Sequence, residues 1–228
     1  VRVRRKFAVS ETFQPKGKQI EDLFTAGGEF LKALQAYVND TTILESEKGK
    51  ARELIANPPQ DDIAIQEEQF RFQLWLDGER ASLFFADCVL LVEGATERAL
   101  FNYLLANDWH DLSPKRICVI DVLGKFNFHR YMALLNAYGI PHGVMLDDDD
   151  ERRHQSAVNA LVAKSANTHT LCEPVKFPGC VERFLELAVP NREDKKPVEI
   201  MKAITSGGIK KEKIAALREE FCKALSIA

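Results

Sequence analysis

Between residues 88 and 188 the chain switches four times from a short apolar run to a stretch with helical spacing. Residues 88–92 read Cys-Val-Leu-Leu-Val. A run without polar alternation predicts a strand covered on both faces. Gly94 follows, and Leu100, Phe101, Leu104 and Leu105 then share one helical face. Residues 116–122 predict a second strand. The turn Leu123-Gly124-Lys125 leads into a helix with Phe128, Tyr131, Met132, Leu135 and Tyr138 inward, and Gly139 is placed as its left-handed cap. A third strand is expected at 143–146, ending in Asp147, with a helix at 151–165. A fourth strand is expected near 168–175, and a helix at 180–188 opened by Pro178-Gly179. Alternation with short joints predicts an α/β fold: a parallel sheet of about four strands with helices on both faces.

The flanks are less constrained. Residues 1–9 alternate loosely and are expected to form a short strand, placed to extend the sheet. Helical spacing runs over 18–38 and again over about 44–56, where Asn57-Pro58-Pro59 stops it. Residues 63–76 carry both a strand-like alternation of Phe70, Phe72, Leu74 and Leu76 and a helix-like Glu67–Arg71 pair; the balance leans to helix. A last helix is expected at 211–225. The expected division is a mainly helical appendage over 1–80, a catalytic α/β domain over 81–190 and a C-terminal helical segment over 191–228. The appendage would serve DNA docking or contacts within a homo-oligomer.

A length of 228 residues buries enough apolar surface to stand without disulfides or zinc. Cys88, Cys118, Cys172, Cys180 and Cys222 form no CxxC pair, and no histidine lies at zinc-ligand spacing from them. They read as reduced, packed thiols of a cytoplasmic protein. Val1 to Lys6 is basic with no apolar stretch after it, so no signal peptide is expected, and no apolar stretch is long enough to span a bilayer as a helix. The chain begins at Val1 without an initiator Met, as a piece of a longer chain would. Charge is uneven: residues 1–18 carry six Lys/Arg and one acid, residues 183–228 carry ten and seven, and the net −3 leaves the middle strongly acidic. Basic ends around an acidic middle suit an acidic metal site flanked by phosphate-binding surface. On charge alone, solubilising tails are the plainer account.

Ligands collect at the carboxyl ends of parallel strands. Glu93 directly follows the first expected strand, Glu97 lies one turn into its helix, and Asp147 to Asp150 follow the third strand. In extended chain Asp147 and Asp149 point to the same side. Each piece alone has a plain explanation: acids are favoured at a helix start by the dipole, and aspartate runs are commonly solvated loops. Their conjunction at strand ends carries the reading. Oxygen ligands without His or Cys suit Mg²⁺ or Mn²⁺. Gly124-Lys125 looks like the tail of a phosphate loop, but the upstream glycine and the following Ser/Thr are missing, so no ATPase site is expected. No two of the five histidines fall at ligand spacing, and His142 reads as structural.

Leu90-Leu91-Val92-Glu93-Gly94-Ala95-Thr96-Glu97, with Asp147-x-Asp149 further on, resembles the Toprim fold of bacterial primases, topoisomerases and certain nucleases. Residues 83–87, Leu-Phe-Phe-Ala-Asp, and Gly124-Lys125-Phe126-Asn127-Phe128 make the likeness closest to the overcoming-lysogenization-defect (OLD) family of nucleases. The resemblance covers about residues 80–190. It implies metal-dependent DNA cleavage in which Glu93 and Glu97 form the first acidic pair and Asp147 and Asp149 the second. Glu182 would be a later acid. The resemblance also implies a late lysine, for which Lys195, Lys196, Lys210, Lys211 and Lys213 compete; Lys210 or Lys211 is favoured. All five acids would be metal ligands to a pair of Mg²⁺ or Mn²⁺ ions. An ATPase domain would precede this region in the full-length chain. The expected activity is that of a DNA endonuclease. The rival readings are a non-catalytic Toprim module for DNA binding or recombination mediation, and a primase or topoisomerase module. A primase lacks its zinc-binding segment here, and all four tyrosines fit apolar helix faces rather than a nucleophile's place.

Overall fold

The computed structural model describes residues 2–6, 9–13, 27–56, 80–148, 153–192 and 195–227. Strands β1 (Arg2–Lys6) and β2 (Val9–Phe13) form an antiparallel hairpin of their own. The strand expected at the N-terminus therefore pairs with the segment after it and does not extend the main sheet. Helices α1 (Gly27–Asn39) and α2 (Gly49–Ala56) follow. Leu34, Tyr37 and Ala51 bury a small core between them, and α1 also packs on α5 (Arg153–Lys164). The ambiguous stretch 63–76 lies outside the described residues, as do residues 18–26 of the helix expected at 18–38.

The main sheet contains β3 (Cys88–Val92), β4 (Ile117–Asp121), β5 (His142–Asp147) and β6 (Val175–Phe177). Its order is β4-β3-β5-β6, and every pairing is parallel. The central strand β3 has no solvent face. Leu90 and Val92 face one core with α3 (Ala95–Asn107), α7 (Lys196–Thr205) and α8 (Lys211–Ala224). Val89 and Leu91 face the other core with α4 (Phe128–Ala137) and α5. The period of two in the strand thus divides one run of five apolar residues between two helical layers. Each fully buried Leu or Phe contributes about 1.5–3 kcal/mol. Phe101, Trp109 and Phe221 stack at ring-centroid distances of 5.0 to 6.3 Å and join α3 to α8.

Two expected elements are shorter than their patterns. Residues 168–174 are turns with a single bridge from Thr170 to His142, so the fourth strand begins only at Val175. Asn167 and Thr170 side chains take the local backbone donors: Thr170 Oγ1 accepts from Asn167 N–H at 3.0 Å, and Asn167 Oδ1 accepts from His169 N–H at 3.0 Å. Such side chains compete with a ladder, and Pro174 has no N–H to give one. The helix expected at 180–188 closes after one turn as α6 (Val181–Phe184). Glu186 adopts φ +60°, and Leu187 N–H returns to Glu182 C=O at 2.9 Å, which wraps the helix end.

His142 is fully buried at the start of β5. Its Nδ1 donates to Ile140 C=O at 2.9 Å, and Nε2 accepts from Thr170 at 3.1 Å. Burial pushes its pKa down to about 4. The unfolded chain takes this proton near pH 6.5, while the folded chain refuses it until about pH 4. Stability from this group is therefore complete above pH 6.5 and is lost as pH falls from 6.5 to 4, by roughly 3 kcal/mol. Urea denaturation of the chain and of His142→Gln at pH 7 and pH 4 is expected to show a loss of that order in the difference between the two.

Gly143 is the point at which α8 closes onto the sheet. A Cβ there would lie 2.1 Å from the Ala224 carbonyl oxygen. That neighbour is backbone and cannot rotate away. Gly143→Ala is expected to destabilise the fold by at least about 1–3 kcal/mol, read as a lower urea midpoint at unchanged slope.

Candidate functional site at the carboxyl ends of the strands

Parallel pairing brings four strand ends to one edge. Val92 pairs with Asp121 across β3 and β4, and Asp147 pairs with Phe177 across β5 and β6. Glu93 continues β3 directly. Gly94 caps α3 in extended conformation, and Glu97 Oε2 accepts its N–H at 3.1 Å. Glu97 therefore does fill the helix-start role that its position suggests. It is nonetheless only 6% exposed. Burial, with repulsion from Glu93 and Glu182, raises its carboxyl to about 7. Glu182, on α6, is 3% exposed, and its Oε1 makes no hydrogen bond. Cys180, at the start of α6, feels the charges of both Glu182 and Asp147. Its thiol, half-buried, is pushed up to about 11 by burial, by a hydrogen bond to Glu182 and by the charges of Glu182 and Asp147. Glu97 is thus within electrostatic reach of Glu93 and Glu182, and Cys180 within reach of Glu182 and Asp147, although these residues come from different elements.

Asp147 ends β5. Asp148 turns to the other side, where its Oδ1 lies 3.4 Å from Lys176 Nζ and its backbone C=O accepts from Asn159 at 2.8 Å. Asp149 lies outside the described residues. Asp121, at the end of β4, is taken by Arg98 at 3.4 Å.

Lys125, which in the sequence belongs to an incomplete phosphate loop and to the stretch resembling the OLD family but is not among the expected site residues, is 2% exposed and belongs to this cluster. Its Nζ donates to Asp147 C=O at 2.6 Å and lies 3.8 Å from Glu93 Oε2. One ammonium therefore spans the ends of β3 and β5. The signal that marks it is positional: it follows β4 at the same edge as the acids. The favoured late lysine Lys210 is 68% exposed and holds Glu186 Oε2 at 2.6 Å, while Lys213 holds Glu186 Oε1 at 3.0 Å. These pairs fasten the start of α8 to the loop just after α6, and they keep the Glu186 carboxyl down at about 2. Lys195 lies just ahead of α7, Lys196 is the first residue of α7, and Lys211 is the first residue of α8.

The donor set is all oxygen apart from one thiol, as a hard divalent cation requires. An unpartnered, buried Glu182 oxygen and a carboxyl raised by its neighbours are what such a cation would relieve. Among the described residues no three acidic, thiol or imidazole side chains stand close enough, as positioned, to hold one ion. Removing one buried charge is expected to stabilise the metal-free chain. Glu182→Gln in EDTA at pH 8 is expected to melt higher than the parent by an amount worth about 1 kcal/mol, since its amide donates to carboxylates that now repel it. Differential scanning calorimetry reads the sign.

Residues 84–149 match the family model described as overcoming lysogenization defect protein-like, TOPRIM domain. The Old nuclease of Escherichia phage P2 is 37% identical over 68 residues, which is 29% of this chain and 12% of that protein. The match thus spans about an eighth of the length of that relative. Among solved structures, the C-terminal region of the Burkholderia pseudomallei OLD protein aligns at 17% identity and a TM-score of 0.34, over 61% of this chain and 83% of that one. The C-terminal region of the Xanthomonas campestris pv. campestris OLD protein aligns at 19% identity and a TM-score of 0.32, over 62% and 82%. The matched stretch holds Glu93, Glu97, Asp147 and Asp149; Glu182 and the late lysines lie beyond it. Residues 84–149, from the turn ahead of β3 to the acidic run after β5, are thus similar to the OLD-like TOPRIM domain.

Proposed function

We propose that this chain is the nuclease region of a cytoplasmic ATPase–nuclease protein and hydrolyses DNA phosphodiesters with Mg²⁺ or Mn²⁺. The observation that carries the reading is the placing of Glu93, Glu97, Glu182 and Asp147 at one sheet edge, where burial and the charges of Glu93 and Glu182 raise Glu97 to about 7. Burying Glu97 and Glu182 beside the half-buried Glu93 and Asp147 costs stability unless cations are to be held there. The OLD-like TOPRIM match and the name of the phage relative, a nuclease, point the same way.

A pair of divalent ions, when bound, would supply Lewis acidity and a water of lowered pKa. The protein's part is placement. Glu93 and Asp147 present carboxylate oxygens from the ends of β3 and β5, and Asp149, two residues on in the sequence, is proposed as a further ligand. Glu97 and Glu182 flank them from α3 and α6. Hydrolysis forms one P–O bond to water and breaks the bond to the leaving 3′ or 5′ oxygen, which takes up a proton. Lys210 and Lys211, at the start of α8, are proposed to offset the growing phosphate charge. Engagement by Lys210 requires Glu186 to release it. The basic N-terminal hairpin and α8 offer phosphate contacts, in a homo-oligomer or with the ATPase domain of the full-length chain.

Supercoiled plasmid is expected to be cut in Mg²⁺ or Mn²⁺ and left intact in EDTA. Asp147→Ala, Asp149→Ala and Glu97→Ala are each expected to lower cutting by at least about 100-fold, while filter binding of DNA is unchanged or tighter, because binding rests on Lys and Arg at phosphate. Full cutting by Asp147→Ala would leave the non-catalytic DNA-binding module as the better account.

A further inference from the structure

The motif Gly124-Lys125-Phe126-Asn127 is built to carry a lysine into the acidic cluster. After β4 the chain passes through two successive left-handed residues, Leu123 at φ +57° and Gly124 at φ +104°. Such a turn costs conformational energy at leucine and is eased by glycine. It is strapped in place from both sides. Gly124 N–H donates to Glu93 C=O at 2.9 Å, Val122 N–H donates to Val92 C=O at 2.9 Å, and the Asn127 amide donates to Val122 C=O at 2.9 Å and Leu123 C=O at 3.2 Å. The strapping turns Lys125 inward, where its side chain is 1% exposed. An ammonium so deeply buried is costly unless it is paired. Its surroundings are the Glu93 carboxylate and the Asp147 carbonyl, from the two strands that bear the proposed metal ligands.

We propose that Lys125 is a positioning residue and a resident cation of this cluster: it holds Glu93 against the end of β5 and supplies in the metal-free chain a positive charge that divalent ions otherwise provide. The proposal rests on the metal reading above in its second half only. Removal of the ammonium leaves the carboxylates nearer to one another's uncompensated charge, so the chain should come to lean on added cation.

The test is melting of the parent chain, Lys125→Met, Lys125→Arg, Glu93→Gln and the Lys125→Met/Glu93→Gln double variant, each in EDTA and in millimolar Mg²⁺ without DNA. In EDTA, Lys125→Met is expected to melt more than about 4 °C below the parent, and the double variant above Lys125→Met. The shift produced by Mg²⁺ is expected to be larger in Lys125→Met than in the parent, and close to the parent's in Lys125→Arg. A residue that merely fills space would lower both curves equally, and that result overturns the proposal. So does a double variant no more stable than Lys125→Met. If Lys125→Met does not fold in EDTA, refolding on addition of Mg²⁺ or of Glu93→Gln supports the proposal, and failure of both rejects it. A parent chain with no Mg²⁺ shift at all rejects the metal reading and the cation-substitute role; the coupling of Lys125 to Glu93 in EDTA then decides the positioning role by itself.

Discussion

Strand β3 is buried on both faces, and the rest of the structure follows from that. Leu90 and Val92 require one helical layer and Val89 and Leu91 require another. With both faces covered, neighbouring strands must enter by crossover connections and run parallel. Parallel entry puts every carboxyl end at one edge. The acids at 93, 121 and 147 come to one edge for a topological reason before any chemical one, and Glu182 comes to it because α6 follows the end of β6 by a short joint.

The meeting is electrostatically uncomfortable, and the molecule divides the discomfort. Asp121 is taken by Arg98 and Asp148 by Lys176. Lys125 reaches between Glu93 and Asp147. Glu97 keeps its charge low by holding a proton up to about pH 7 while capping α3 through Gly94. Glu182 keeps one buried oxygen without a hydrogen bond. Charges are paired at the periphery, and the unrelieved repulsion is left at the centre.

The sheet could be read from the sequence because its signal is local. Residues 88–92 form the strand at those bounds, and the helix faces carrying Phe101 and Leu104, or Tyr131 and Leu135, are the buried ones. Where side chains rival the backbone, the pattern misleads: Asn167 and Thr170 turn an apparent strand into bends. Acid positions at strand ends were legible for the same reason as the strands. The role of Lys125 was not, because it depends on two left-handed residues and on hydrogen bonds to a strand over thirty positions earlier. The pairing of Lys210 and Lys213 with Glu186 is hidden likewise, since it follows from a helix that stops after one turn.

The contact between Gly143 and Ala224 also bears on how the chain is made. One of the two cores draws residues from Leu90 to Leu225, so its lining is incomplete until α8 has left the ribosome. The other core, closed by α4 and α5, is complete some sixty residues earlier in synthesis. A nascent chain therefore passes through a stage in which the sheet is sealed on one side and presents Leu90, Phe101 and Met145 on the other. At that stage it is a half-finished surface that chaperones can hold. Docking of α8 ends that stage.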